Sequence, residues 1–520
     1  MLTNDILASL KNFTANMKNT VTLVLQTGEH EKRAELTEFL SQLSTVSENI
    51  TFEERDTEGR LASPISFLLE ADGKDQGISF SGLPGGHEFN SLILALLHSS
   101  GTPLKLDDSI QSIIKNIDEP LNFQVFMSLS CHNCPDVVQA LNQFSILNDN
   151  ISTETIDGGL FPDLIEKYNI QGVPTVLLNG KLFANGKIDT AVILEKLMQL
   201  APRTAKSAAK KSEALPLQDM TIIGGGPAGV AAAIYGARKG LAVTIIADRF
   251  GGQVKDTMAI ENLISVPKTT GPELTGALLS HMDDYTITRK EHLRVGRIEK
   301  GKIKKLHLSS GEVIETKTVI IATGAKWREL GIAGEKENIG NGVAYCPHCD
   351  GPFFKGKDVA VVGGGNSGIE AAIDLSGIVK SVTVFEFLPE LKADKILVNQ
   401  AESRDNITIL KNVETKQVLS DGKNVTAIEY QDRTDGKIYQ KDLSGIFVQI
   451  GLVPNSAFIK DVVALSPYGE VIINERSQTS EAGIFACGDV TTVPYKQIVI
   501  AMGEGSKAAL GAFDYLIREF

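Results

Sequence analysis

Short β-branched runs alternate with amphipathic stretches along this chain of 520 residues. Residues 21–25 (Val-Thr-Leu-Val-Leu) read as a strand, residues 29–40 carry helical spacing of apolar positions, and residues 65–69 read as a further strand. The alternation then returns. Residues 123–127 form a strand-like run, Cys131-His132-Asn133-Cys134 opens a helical pattern, and residues 152–156 and 175–178 are strands again. Two successive α/β units therefore fill 1–200, and the first has no cysteine where the second carries its pair. In the first unit Gly86-His87-Glu88 occupies a loop before a helix at 89–97. The pair reads as a duplicated fold whose first copy lost its chemistry.

Residues 201–216 break the pattern. They are rich in Ala, Lys and Ser, have a proline near each end and lack an apolar stripe, so they read as a linker. Beyond it, a buried-strand run twice enters a glycine-rich turn and an alanine-rich helix. The first turn carries Gly224, Gly226, Pro227, Ala228 and Gly229; the second carries Gly363, Gly365, Asn366, Ser367 and Gly368. Between strand and helix, this spacing is a dinucleotide fingerprint: the glycines permit a tight turn and close pyrophosphate approach, and the helix N-terminus favours negative charge. An acid about 20 residues on binds ribose hydroxyls. Asp248 and Glu386 stand at those places, and no arginine cluster follows Glu386. A carboxylate there accepts from a free 2′-hydroxyl and repels a 2′-phosphate, which favours NADH over NADPH.

Composition narrows the class. A hydrophobic content of 42% with 22% charged residues is ordinary for a globular protein, and the length predicts about three to four domains. The net charge of -13 opposes nucleic-acid binding. No run of about 18 apolar residues predicts a membrane span, and the first residues do not read as a signal peptide. Four of the five cysteines form two CxxC pairs, Cys131/Cys134 and Cys346/Cys349. Beside βαβ patterns such pairs indicate redox chemistry in a reducing cytoplasm. A shared zinc site is the rival for four thiolates. The long spacing between the pairs disfavours it, so no metal is expected. In the first pair Cys131 lies at a helix N-terminus, where the dipole stabilises a thiolate.

Further segments carry a resemblance. Ala322-Thr323-Gly324 and the stretch 479–489, with Thr479, Gly488 and Asp489, are similar to the flavin-binding motifs of flavoprotein disulfide reductases. Cys487 stands where that motif usually has alanine and reads as a small core residue. Gly251-Gly252-Gln253, Glu261-Asn262 and Cys346-Pro347-His348-Cys349-Asp350-Gly351 resemble low-molecular-weight thioredoxin reductase over 217–520. With residues 130–140 and 345–352, nearly the whole chain resembles the flavoprotein subunit of alkyl hydroperoxide reductase.

That resemblance implies an α/β architecture: tandem thioredoxin-like folds (1–200), a linker (201–216), an FAD-binding domain in two parts (217–331 and 456–520), and an NAD-binding domain (332–455) inserted between them. FAD is expected on Gly224, Gly226, Pro227, Ala228, Gly229, Asp248, Gly252, Gln253, Asn262, Ala322, Thr323, Gly324, Thr479, Gly488 and Asp489. NADH is expected on Gly363, Gly365, Asn366, Ser367, Gly368 and Glu386. The resemblance further implies a homodimer, a peroxiredoxin partner, and electron flow through Cys346–Cys349 and then Cys131–Cys134. Asp350 would protonate a thiolate and Cys134 would resolve a mixed disulfide. Pro174 would be the cis-proline facing the first pair. Glu88 would either tune that pair or cap its helix. The alternatives are a general thioredoxin-reductase-like protein disulfide reductase, a flavin NADH oxidase, and a non-enzymatic redox sensor.

Overall fold

A computed structural model of the chain describes residues 3–520 except 105, 130, 132–133, 171–172, 187, 201–214 and 258–259, and at 4, 348 and 349 it describes the backbone alone. The expected linker thus lies outside the described residues, apart from its last two positions.

The first 200 residues build one sheet. Its strands are β1 (Val21–Gln26), β2 (Ile50–Arg55), β3 (Ser66–Ala71), β4 (Lys74–Ser81), β5 (Leu121–Met127), β6 (Ile151–Asp157), β7 (Thr175–Leu178) and β8 (Lys181–Asn185). They run in the order β2-β1-β3-β4-β6-β5-β7-β8. Each half has one parallel pair and two antiparallel ones: β1 pairs β2 parallel and β3 antiparallel, and β5 repeats this with β6 and β7. The halves join where β4 pairs β6 in parallel, Ile78 opposite Thr153. Gly77 permits this approach. Its φ is +70°, and a Cβ there would lie 2.7 Å from the Ile151 carbonyl. The two units read from the sequence are therefore fused along their edges, which leaves neither edge unpaired at the join.

The helix expected from residue 29 begins later and spans Arg33–Ser44. Its buried face is Leu36, Phe39, Leu40 and Leu43, so no apolar contact recruits residues 29–32 into it.

The remainder contains two Rossmann-like sheets. In the body that carries the first fingerprint the strands Ile287–Glu291, Val243–Ala247, Gln218–Ile223, Val313–Ile321, Lys304–Leu308 and Val295–Glu299 lie side by side, and Ile484–Ala486 also pairs with Val313–Ile321. In the module that carries the second fingerprint Val343–Ala344, Gly445–Val448, Asp358–Val362, Ser381–Glu386 and Ile407–Lys411 form a parallel sheet. Two antiparallel strands, Ala325–Trp327 and Leu452–Pro454, link body and module. Among the described residues, no helix is long and apolar enough to cross a membrane.

Candidate active site

Both fingerprints fold the same way. A Cβ on Gly224 would lie 2.2 Å from the Ala322 carbonyl, and one on Gly363 would lie 2.3 Å from that of Gln449. A Cβ on Gly229 would strike the Gly224 carbonyl, and Gly368 repeats this against Gly363. By contrast, Gly226 and Gly365 have nothing within 4 Å of a would-be Cβ. Each of these open glycines is the N-cap of its helix, Pro227–Arg238 or Asn366–Ser376, with no side chain capping the free N–H groups. Crowded outer glycines, an open middle one and uncapped helix amides suit a dinucleotide pyrophosphate. Ala228, Asn366 and Ser367 lie in the first turns of those helices.

The acids differ in their partners. Glu386 is buried, and its carboxylate accepts from the Gly364 N–H at 2.5 Å and the Leu388 N–H at 2.7 Å. It is thereby locked to the second fingerprint turn. Asp248 follows Val243–Ala247 and accepts from Arg294 Nε at 2.8 Å. Burial pushes its carboxyl up, and Arg294 opposes that rise. Arg294 also reaches Glu195 at 3.2 Å and Asp189 at 3.5 Å in the thioredoxin-like part.

Other flavin-motif residues converge on the first fingerprint. Gly252 opens the turn Gly252–Asp256, and its Cβ would come within 3.2 Å of Gly226 Cα. Gly488 (φ +72°) similarly approaches Ala228 at 2.9 Å, and burial pushes Asp489 up. Thr323 and Gly324 are tied to Asn455: Thr323 Oγ1 donates to the Asn455 carbonyl at 2.8 Å, and the Asn455 N–H donates to the Gly324 carbonyl at 3.0 Å. Thr479 does something local. Its hydroxyl donates to the Ile484 carbonyl at 2.8 Å and closes the turn that follows it, residues 480–483.

The second dithiol is linked to one of the flavin-motif residues, Asn262, through Gln497. Cys346 is held in a disulfide, and Gln497 Nε2 lies 4.0 Å from its Sγ. Asn262 Nδ2 donates to Gln497 Oε1 at 3.1 Å, so Asn262, Gln497 and Cys346 form one line. Cys349 lies in the single helical turn Pro347–Asp350, and its side chain is outside the described residues. Asp350 follows; burial raises its carboxyl to about 6.

The first dithiol is a closed Cys131–Cys134 disulfide at the start of the helix Cys134–Leu147. Cys134 is fully buried while Cys131 is partly exposed. The Val173–Pro174 bond is cis; Gly172 lies outside the described residues. Glu88 precedes the helix Phe89–Ser99 and is fully buried with both carboxylate oxygens lacking a hydrogen-bond partner. Burial drives its carboxyl up to about 7. It makes no capping bond, so the helix-cap alternative is not realised. Asp136, two residues after Cys134, lies 3.9 Å from Lys255 of the turn Gly252–Asp256.

Sequence reasoning missed Gln497, Trp327 and Arg433, all brought in from distant segments. The Arg433 guanidinium lies 4.0 Å over the Phe387 ring and donates to the Phe387 carbonyl at 2.8 Å, immediately after Glu386. Cys487 is fully buried, and burial raises its thiol far above the ordinary range, which leaves it inert packing.

Fold and site define a disulfide oxidoreductase with two dinucleotide folds and an appended thioredoxin-like dithiol carrier. Residues 218–505 match the family model described as pyridine nucleotide-disulphide oxidoreductase, and 121–199 match a thioredoxin domain. The chain is 46% identical over its whole length to the flavoprotein subunit of alkyl hydroperoxide reductase from Escherichia coli, 99% of which is covered. It is also 46% identical to a protein of Bacillus subtilis named NADH dehydrogenase, with both chains fully covered. Among solved structures, thioredoxin reductase from Streptococcus pyogenes is 36% identical and aligns with TM-score 0.56 over 58% of this chain and 99% of its own. The chain belongs to the family of alkyl hydroperoxide reductase flavoprotein subunits. It is a flavin- and pyridine nucleotide-using disulfide reductase.

Proposed function

We propose that this chain is an NADH-dependent, FAD-containing peroxiredoxin reductase with two dithiols in series. Bound FAD supplies a two-electron carrier between the nicotinamide and the adjacent disulfide. The observation that carries the order is the line Asn262–Gln497–Cys346, which ties the second pair to a flavin-motif residue through hydrogen-bonding side chains. The reduced Cys346/Cys349 pair then attacks the Cys131–Cys134 disulfide. Two S–H groups are oxidised and one S–S bond is cleaved to two thiols, so electrons and protons balance. Asp350, with its carboxyl near 6, donates and recovers the proton. Partly exposed Cys131 attacks the disulfide of a two-cysteine peroxiredoxin, and buried Cys134 resolves the mixed disulfide. Rotation about the two-stranded link opens the flavin face for the nicotinamide, and release of the thioredoxin-like part lets the two dithiols meet.

Several supports are independent of one another. Glu386 fits an unphosphorylated ribose. The names of the alkyl hydroperoxide reductase relatives support a peroxiredoxin partner. Exposed Ile264, Tyr468 and Tyr495 on the flavin body fit a second copy of the chain. The reducing cytoplasm suits dithiols that must be turned over. Boundaries near 200, 216, 331 and 455 fit the separate sheets.

The test is NADH-dependent peroxide reduction by the holoprotein with and without an added two-cysteine peroxiredoxin. Activity should require the peroxiredoxin and vanish in Cys131→Ser/Cys134→Ser. In Cys346→Ser/Cys349→Ser, anaerobic NADH should produce no new thiols; two thiols at Cys131 and Cys134 would refute the order. Direct NADH oxidation at the flavin is a second reading, favoured by the name of the Bacillus subtilis relative. It predicts activity that survives loss of all four paired cysteines.

A further inference from the structure

Trp327, the chain's single tryptophan, ends the strand Ala325–Trp327 in the link between flavin body and nucleotide module. With the Gln253 amide oriented to satisfy both its ends, Gln253 donates to the Ala325 carbonyl at 2.9 Å and accepts from the Trp327 indole N–H at 2.8 Å. Gln253 belongs to the turn Gly252–Asp256 of the flavin body. On its other side the indole stacks on Tyr345, with ring centroids 6.3 Å apart and an interplanar angle of 21°.

Tyr345 is the residue before Cys346, and it is anchored at both ends. Its hydroxyl donates to Glu335 at 2.9 Å. Glu335 is fully buried and also accepts from the Leu330 and Gly331 N–H groups at 2.8 and 2.7 Å. The Tyr345 carbonyl accepts from Gln449 Nε2 at 2.8 Å. A carboxylate filled by three donors is a fixed post, so Tyr345 moves only with its module. Trp327 therefore bridges the two bodies at their pivot, through a hydrogen bond on one side and an aromatic contact on the other.

We infer that Trp327 is a positioning residue for the flavin-side thiol step. Its bond to Gln253 and its stack on Tyr345 hold the Cys346 segment against the flavin-binding face and set the share of molecules seated there. This rests on the proposed reduction of the Cys346–Cys349 pair at the flavin. Losing a hydrogen bond of about 1 kcal/mol lowers the ratio of seated to unseated molecules about five-fold.

The test uses full-length holoprotein mixed anaerobically with NADH, with flavin absorbance and free thiols at Cys346 and Cys349 followed separately. Trp327→Phe keeps an aromatic ring and deletes the N–H; thiol appearance should slow measurably, by up to about five-fold, while flavin bleaching stays within two-fold of wild type. Tyr345→Leu removes the stack but keeps Trp327 as the only tryptophan emitter; thiol appearance should again slow several-fold, and the emission of the oxidised protein should shift. Unchanged thiol appearance in both variants overturns the inference. So does a parallel fall of both steps with loss of bound FAD, because Trp327 would then serve cofactor retention. Absence of thiols at Cys346 and Cys349 in the wild type would instead mark failure of the underlying relay, and this inference would fall with it.

Discussion

Replacing Glu88 by glutamine isolates the cost of a buried carboxylate beside the first dithiol. The side chain stands at the N-cap position of the helix Phe89–Ser99, where the helix dipole favours the ionised form by about 0.3–1 kcal/mol. Burial opposes this and wins, carrying the carboxyl from 4.5 to about 7; Ser91 resists the rise and Asp136 adds to it. That distance corresponds to about 3 kcal/mol. The folded form holds a proton that the unfolded form has lost between these two values, so the native state is penalised progressively as pH rises from 4.5 to about 7 and fully above that. At pH 5 the penalty is below about 1 kcal/mol, and at pH 8 it is about 3 kcal/mol. Amide hydrogen exchange in the helix Phe89–Ser99, corrected for intrinsic rates, reads the local opening free energy. Between pH 5 and pH 8 the wild type should lose about 2 kcal/mol more opening free energy than Glu88→Gln. The difference between the two proteins matters more than either absolute value, because glutamine brings an amide with hydrogen-bonding needs of its own. Parallel pH dependence in the two proteins would mean that Glu88 is already partnered, and the argument from burial would fail.

Glu386→Arg should narrow the preference of kcat/KM for NADH over NADPH and raise KM for NADH more than it lowers kcat, because the carboxylate that grips the Gly364 N–H is lost with the ribose contact; an unchanged ratio would remove Glu386 from nucleotide selection. Asp350→Asn should flatten the pH profile of thiol transfer near pH 6, where the buried carboxyl titrates, while leaving the rate of flavin bleaching by NADH within two-fold; a profile still breaking near 6 would assign that titration to another group.

What the sequence made legible was whatever is coded at short range. The two fingerprints need glycine at fixed spacing because a Cβ at Gly224, Gly229, Gly363 or Gly368 would strike a neighbouring carbonyl, and that requirement is written locally. Strand cores such as residues 175–178 were equally plain, because β-branched runs need no distant partner to be recognised. The fusion of β4 to β6 was not legible. It depends on Gly77 meeting Ile151, two residues whose approach no local pattern encodes. The late start of the helix Arg33–Ser44 had the same origin, since its buried face begins at Leu36. For Glu88 the sequence left open a role in tuning the first dithiol and one in capping its helix; burial by distant segments, which no local pattern encodes, leaves it without a capping bond. Gln497 and Trp327 carry no motif. They matter through Cys346, Gln253 and Tyr345, which the fold delivers from other segments.

The contacts that dock the thioredoxin-like part onto the flavin body share one electrostatic property, and it bears on how the relay can work. Acids of the first part face cations of the second: Asp107 with Lys290, Asp136 with Lys255, Asp189 and Glu195 with Arg294. Pairs exposed at such a rim contribute about 0–1 kcal/mol each. Breaking a buried pair usually costs more, because one charge is left without a partner. Here each of the less exposed cations has an acid of its own on the flavin body: Lys290 keeps Glu312 at 2.9 Å and Arg294 keeps Asp248 at 2.8 Å when the thioredoxin-like part departs. Lys255 is more than a third exposed, and water can take the place of Asp136. Undocking therefore strands no buried charge on the body that remains. A dithiol carrier that must meet one disulfide and then another needs a docked state it can leave, and this distribution of acids keeps the cost of leaving low.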